Sequence, residues 1–333
     1  MTRIGINLPN STTASDFLRI AKVADRKGYG SIWKGEQLGR DAISVLGACA
    51  TATTRIEMAT GIINIFVRNP LLTAMTAATV HELSGRRVIM GLSTGNPART
   101  GKTFGVQFDH PLGRLREYIG ILRRALSGET LNYKGRFLER IEGFKLGIKA
   151  PPSNFPIYVA ARHPHMIELA GEIGDGLLMN MVSPNYLASF VLPHIKIGAE
   201  KAGRSVNEID IASFIITCIS NDKSAALRAA RKAILGYSML PHIFSMFERE
   251  PFLESMKRVR ETCLHEGPEK AAEEIPESVV NELSISGPPS IVIAKLQEYT
   301  RAGVTLPILY FSPVEEPSGA SMEKSVESVP LTD

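Results

Sequence analysis

Short apolar, β-branched runs alternate with amphipathic helical stretches along almost the whole chain, and this alternation restricts the fold more than any other feature. A run over 4–8 is followed by helical spacing of Phe17, Ile20, Ala21, Val23 and Ala24, then by a second run at Ser31, Ile32 and Trp33. The unit repeats as a helix over 43–52, a strand over 56–63, a helix over 70–83 opened by Pro70, and a strand over 88–92. A polar loop and a helix over 114–126 come next, and the Gly- and Lys-rich residues 128–149 suit a hairpin excursion. Strands over 156–161, 175–179, 209–218 and 306–311 then alternate with helices over 166–173, 186–202, the stretch after Ser224, and 290–302. Eight strands answered by helices, with no GxGxxG after the first, predict a TIM-type (β/α)8 barrel with insertions rather than a doubly wound sheet. The predicted organisation is one barrel domain over 1–312, a helical insertion at about 240–285, and a flexible Pro/Ser/Glu-rich tail over 313–333.

Composition narrows the function. Hydrophobic content of 44% and charged content of 22% are those of a folded globular chain. The net charge of +4 comes without a basic block interleaved with aromatics, which argues against a nucleic-acid partner and suits a small, partly anionic ligand. No apolar run approaches the roughly 20 residues of a membrane span, and the start reads straight into a strand, so a cytoplasmic location is expected. Cys49, Cys218 and Cys263 are scattered and read as reduced packing residues. The seven histidines show no metal-ligand spacing, so no metal is expected.

Barrel chemistry sits at the C-terminal ends of strands, which directs attention to four segments. Gly61 interrupts the β-branched third strand, which marks a bulge, a close backbone approach to a ligand, or a plain turn into the helix begun by Pro70. Thr94-Gly95-Asn96 ends the fourth strand in small residues whose backbone N–H groups face either a ligand or solvent. Ala160-Ala161-Arg162 ends the fifth just before a helix, the setting of an anion site or of a solvated cation. Glu36 ends the second, as a surface carboxylate or as a proton donor in a partly dry pocket.

The stretch Thr60, Gly61, Asn64, Arg68, Pro70, continued by Glu82-Leu83-Ser84-Gly85-Arg86-Arg87-Val88, resembles the luciferase-like superfamily, and particularly its branch of coenzyme F420-dependent methylene-tetrahydromethanopterin reductases. The resemblance implies an F420-dependent oxidoreductase, with a non-prolyl cis peptide at Gly61–Ile62 behind the deazaflavin ring. It implies ring and ribityl-phosphate contacts from Gly61, Ile62, Asn64, Thr94, Gly95, Asn96, Ala160, Ala161 and Arg162. Glu36 aligns with a family acid and is the expected catalytic residue, to protonate the product or hold the substrate, with Trp33 and Phe66 as walls of the site. Three positions depart from the family: Gln37 replaces a histidine, Asn7 stands where the reductases carry an acid, and Asn96 stands where a further aspartate is expected. The amides at Asn7 and Asn96 point to an organic substrate other than tetrahydromethanopterin. The alternatives are an FMN-dependent monooxygenase of the same superfamily, served by a separate flavin reductase, and a non-catalytic barrel. The resemblance also implies a homodimer through the second and third helices, where Ala48, Ala52, Ala74, Ala77 and Ala78 suit either close packing with a partner or packing against the barrel. Met239, Phe244, Met246, Phe247 and Phe252 suit either an apolar lid or core.

Overall fold

A computed structural model describes residues 3–36, 38–85, 87–138, 140–315 and 319–331. Gln37 and Arg86 of the family motifs lie outside the described residues. The fold is the expected TIM-barrel-like α/β class, with parallel strands followed by helices, and it comprises two compact units. Among the described residues no helix is long and apolar enough to cross a membrane.

The unit of Ser31–Leu178 and His194–Asp210 carries the strands Ser31–Lys34, Glu57–Thr60, Val88–Ser93 and Ile157–Ala160 and the start of Gly176–Asn180, each parallel to the next. Local chemistry sets the crossovers. Asp41 accepts from the Ile43 and Ser44 amides to start Ala42–Ala52, and Asn69 accepts from the Leu71 amide to start Pro70–Leu83. Ala74, Ala77 and Ala78 are buried within the unit and pack inward. The exposed side of Pro70–Leu83 carries Leu72 and Met75, each 50% exposed. Residues 128–149 do form a hairpin, Leu131–Lys134 against Arg140–Phe144.

The unit of Met1–Gly30, Met179–Pro193 and Ile211–Asp333 sets Gly5–Asn7 beside Leu306–Phe311, which in turn pairs with Asp210–Ile219 from Ala212 onward. The insertion is helical over Pro241–Phe244, Leu253–His265, Pro268–Glu273 and Glu277–Leu283, but it ends in a strand, Ser284–Gly287, paired with the end of Asp210–Ile219. Met246 and Phe247 are wholly buried, which makes them core rather than lid. The flexible tail expected over 313–333 is corrected for its second half, since Gly319–Ser328 is a helix. It buries Met322 and Val326, its Glu323 receives Arg19 Nε at 2.5 Å, and the Val326 carbonyl accepts from the Tyr29 hydroxyl at 2.8 Å.

Candidate active site at the strand ends

In the Ser31–Leu178 unit the third strand breaks where glycine interrupts it. Glu57–Thr60 ends, the Gly61–Ile62 peptide is cis at the bond implied by the resemblance, and pairing resumes at Ile63–Asn64 against Leu92 and Ser93. The backbone closes the break on both sides, Gly61 N–H donating to the Lys34 carbonyl at 3.0 Å and Glu36 N–H to the Ile62 carbonyl at 2.9 Å. Gly91 faces the break because Thr60 Oγ1 accepts from its N–H at 2.8 Å, and a Cβ there would lie 2.0 Å from the Thr60 carbonyl oxygen.

Glu36 does not stand free in a pocket. Its Oε1 accepts from Arg68 Nε at 3.0 Å and Nη2 at 2.7 Å, and its Oε2 accepts from the Asn64 N–H at 3.4 Å. Arg68 also reaches Asp41 Oδ1 at 3.4 Å. These contacts use both carboxylate oxygens as acceptors and tie the second strand's end to the segment beyond the break.

Asn64 is buried and spends its amide inside the protein, with Oδ1 accepting from Phe66 N–H at 3.0 Å and Nδ2 donating to Thr100 Oγ1 at 2.9 Å. Thr100 belongs to a helix, Pro97–Phe104, in the stretch read from sequence as a polar loop, and its hydroxyl donates onward to the Thr94 carbonyl at 3.5 Å. Asn96 caps that helix by accepting from Arg99 N–H at 3.2 Å. Gly95 turns between them at φ 70°, and a Cβ there would meet Asn64 Nδ2 at 2.5 Å. The third- and fourth-strand ends are thus clasped through Asn64 and Thr100. Sequence reasoning found Asn64, Thr94, Gly95 and Asn96 but missed Thr100; the Asn-Pro pair at 96–97 was the available helix-start signal.

The fifth strand's end joins the group through Ser93, whose Oγ donates to the Ala160 carbonyl at 2.9 Å. Ala160, Ala161 and Arg162 are half-buried, and the helix Pro164–Ile173 that follows has no side-chain cap on its first-turn amides. His163 and His165 are exposed, the latter 3.9 Å from the Glu168 carboxylate. Gly61, Ile62, Gly95 and Asn96 are likewise only half-buried. Trp33 is wholly buried, donating to Ser31 Oγ at 2.8 Å and leaning on Tyr158, and so is core rather than wall. Phe66 stacks on Phe108 and lines a cavity of about 280 Å³ with Arg68, Arg114 and Tyr118.

Comparison with known proteins agrees with this architecture. The model of the luciferase-like monooxygenase family matches residues 1–306. A 5,10-methylenetetrahydromethanopterin reductase of Methanolobus tindarius is 30% identical over 98% of this chain and 97% of its own length. A putative coenzyme F420-dependent oxidoreductase of Mycobacterium tuberculosis is 26% identical over 89% of this chain and 91% of its own. Among solved structures, the coenzyme F420-dependent tetrahydromethanopterin reductase of Methanopyrus kandleri superposes with a TM-score of 0.86 at 26% identity, covering 98% of both chains.

Proposed function

The chain belongs to the luciferase-like monooxygenase family, and we propose that it is an oxidoreductase using coenzyme F420 to move hydride to or from a small organic substrate. The observation that carries this reading is the full-length likeness to F420-dependent relatives, and the accessible backbone at three successive strand ends supports it.

The residues present suit such a coenzyme. Uncharged, half-buried main chain at Gly61, Ile62, Gly95 and Asn96 suits a flat heteroaromatic ring, with Asn64 and Thr94 buried just behind. Ala160 and Ala161 leave room, and Arg162 with the uncapped first turn of Pro164–Ile173 suits an anionic chain. When bound, the deazaflavin supplies a carbon that gives or accepts two electrons as hydride. The protein's part is placement. We assign Glu36 to positioning rather than to proton donation, because both its oxygens already accept from Arg68 and the Asn64 amide. We further propose a homodimer packed on the exposed Leu72 and Met75 of Pro70–Leu83 and the neighbouring Ser44 and Ala48 of Ala42–Ala52.

Fluorescence titration of the full chain with oxidised F420 and, separately, FMN tests the coenzyme. F420 is expected to bind at least about tenfold more tightly. Tighter FMN binding would replace the reading with that of a monooxygenase supplied by a flavin reductase.

A further inference from the structure

At the strand ends of the Met1–Gly30, Met179–Pro193 and Ile211–Asp333 unit, four uncharged polar side chains gather. Asn7 closes its strand in register with Tyr310, one residue from the end of Leu306–Phe311. Directly paired residues of a ladder present their side chains on the same face. Tyr237, in the last turn of Lys223–Ser238, meets Tyr310 edge to face, with ring centroids 6.1 Å apart and planes at 72°. The side chain of Asn180, which ends Gly176–Asn180, reaches the Tyr237 hydroxyl. All four are half-buried, and Ile216, paired with Tyr310 on its other side, adds a buried apolar wall.

The cluster is free of formal charge. Burial pushes the Tyr237 and Tyr310 phenols up, and beyond it only Tyr310 and Asn180 act on the Tyr237 hydroxyl, and only Tyr237 on that of Tyr310. Among the described residues no carboxylate or cation acts on either.

We infer that Asn7, Asn180, Tyr237 and Tyr310 form a subsite for an uncharged oxygen compound, a ketone, aldehyde or alcohol, and that it rejects carboxylates and amines. Tyr237 donates its hydroxyl to Tyr310, so a neutral oxygen brought here meets the Tyr310 hydroxyl, which Tyr237 orients, and amide donors. An ionised group gives up its water and meets no counter-ion. The side chains also stand at C-terminal strand ends, where barrels of this class hold their ligands. The inference rests on the oxidoreductase reading only in that the occupant is then its substrate.

Saturation-transfer NMR on the full chain without coenzyme tests it, with cyclohexanone and cyclohexanecarboxylate as probes at neutral pH. The ketone is expected to bind and the carboxylate to bind at least about tenfold more weakly. Tyr310→Phe and Tyr237→Phe should each weaken the ketone by about tenfold, with thermal melts establishing that the variants fold. Equal or better binding of the carboxylate, no ketone binding to the parent chain, or ketone binding unchanged in the folded Phe variants would overturn the inference. No coenzyme is present, so failure here leaves the F420 titration unaffected, and failure of that titration leaves this result standing.

Discussion

Replacing Thr100 by valine removes the clasp between the third- and fourth-strand ends while keeping the side chain's volume. Thr100 is 1% exposed, and its hydroxyl accepts from Asn64 Nδ2 at 2.9 Å and donates to the Thr94 carbonyl at 3.5 Å. In the valine variant Asn64 Nδ2 stays buried with its partner gone, which costs about 2 kcal/mol. The longer contact to Thr94 is poor in geometry and adds little. For a chain of this size the loss lowers the melting temperature by roughly 3 °C. Thr100→Ser keeps the hydroxyl and loses a buried methyl, at about 1 kcal/mol. Stability alone therefore separates the two variants only modestly, and coenzyme affinity is the sharper readout. With the loops at 61–64 and 94–96 no longer joined, ordering them falls on the ligand, and F420 binding by Thr100→Val should weaken by about tenfold while Thr100→Ser stays near the parent. Differential scanning fluorimetry and a fluorescence titration measure both quantities. Equal loss of affinity in the two variants, or an unchanged affinity in a destabilised Thr100→Val, would refute the clasp.

Three other expectations follow from the same geometry. Glu36→Gln keeps the shape but loses the charge held by Arg68, so the melting temperature and coenzyme affinity should fall while turnover at saturating coenzyme and substrate stays within a few-fold; a proton donor would lose 10²-fold or more in steady-state assays. Glu250 is buried, accepts from Ser183, and has its carboxyl pushed up from 4.5 mainly by burial. The folded state thus holds a proton that the unfolded chain releases, so this group's contribution to stability is lost as pH rises from about 4.5 through the raised value. Glu250→Gln should flatten that part of the stability profile and raise the melting temperature at neutral pH, and an unaltered profile in pH-dependent melts would contradict it. Leu72→Glu combined with Met75→Glu should reduce the particle to the mass of one chain in light scattering, with the melt of the monomer retained; a parent chain that is already monomeric refutes the dimer.

The barrel was legible because each of its signals is local. Strand runs and the Pro70 start act over a few residues, and the helix over 70–83 appears with those bounds. The elements that escaped depend on partners far away in sequence. Ser284–Gly287 has one aliphatic residue and is a strand only because the end of Asp210–Ile219 offers it a ladder. Gly319–Ser328 has the composition of a disordered tail, yet Met322 and Val326 bury themselves beside Ala14–Lys27. The candidate site divides the same way. Its glycines announce themselves as breaks in strand pattern, whereas the Glu36–Arg68 pair spans 32 positions and Asn64–Thr100 spans 36, so a free acid and a lone amide in sequence become a brace and a clasp in the fold.

A crystal structure of the full chain grown with oxidised F420 tests the central claim most directly. The account predicts the deazaflavin ring against the backbone of Gly61, Ile62 and Gly95, with the phosphate beside Arg162 and the first turn of Pro164–Ile173. A coenzyme seated elsewhere, or crystals that take up FMN in this position and exclude F420, would contradict it.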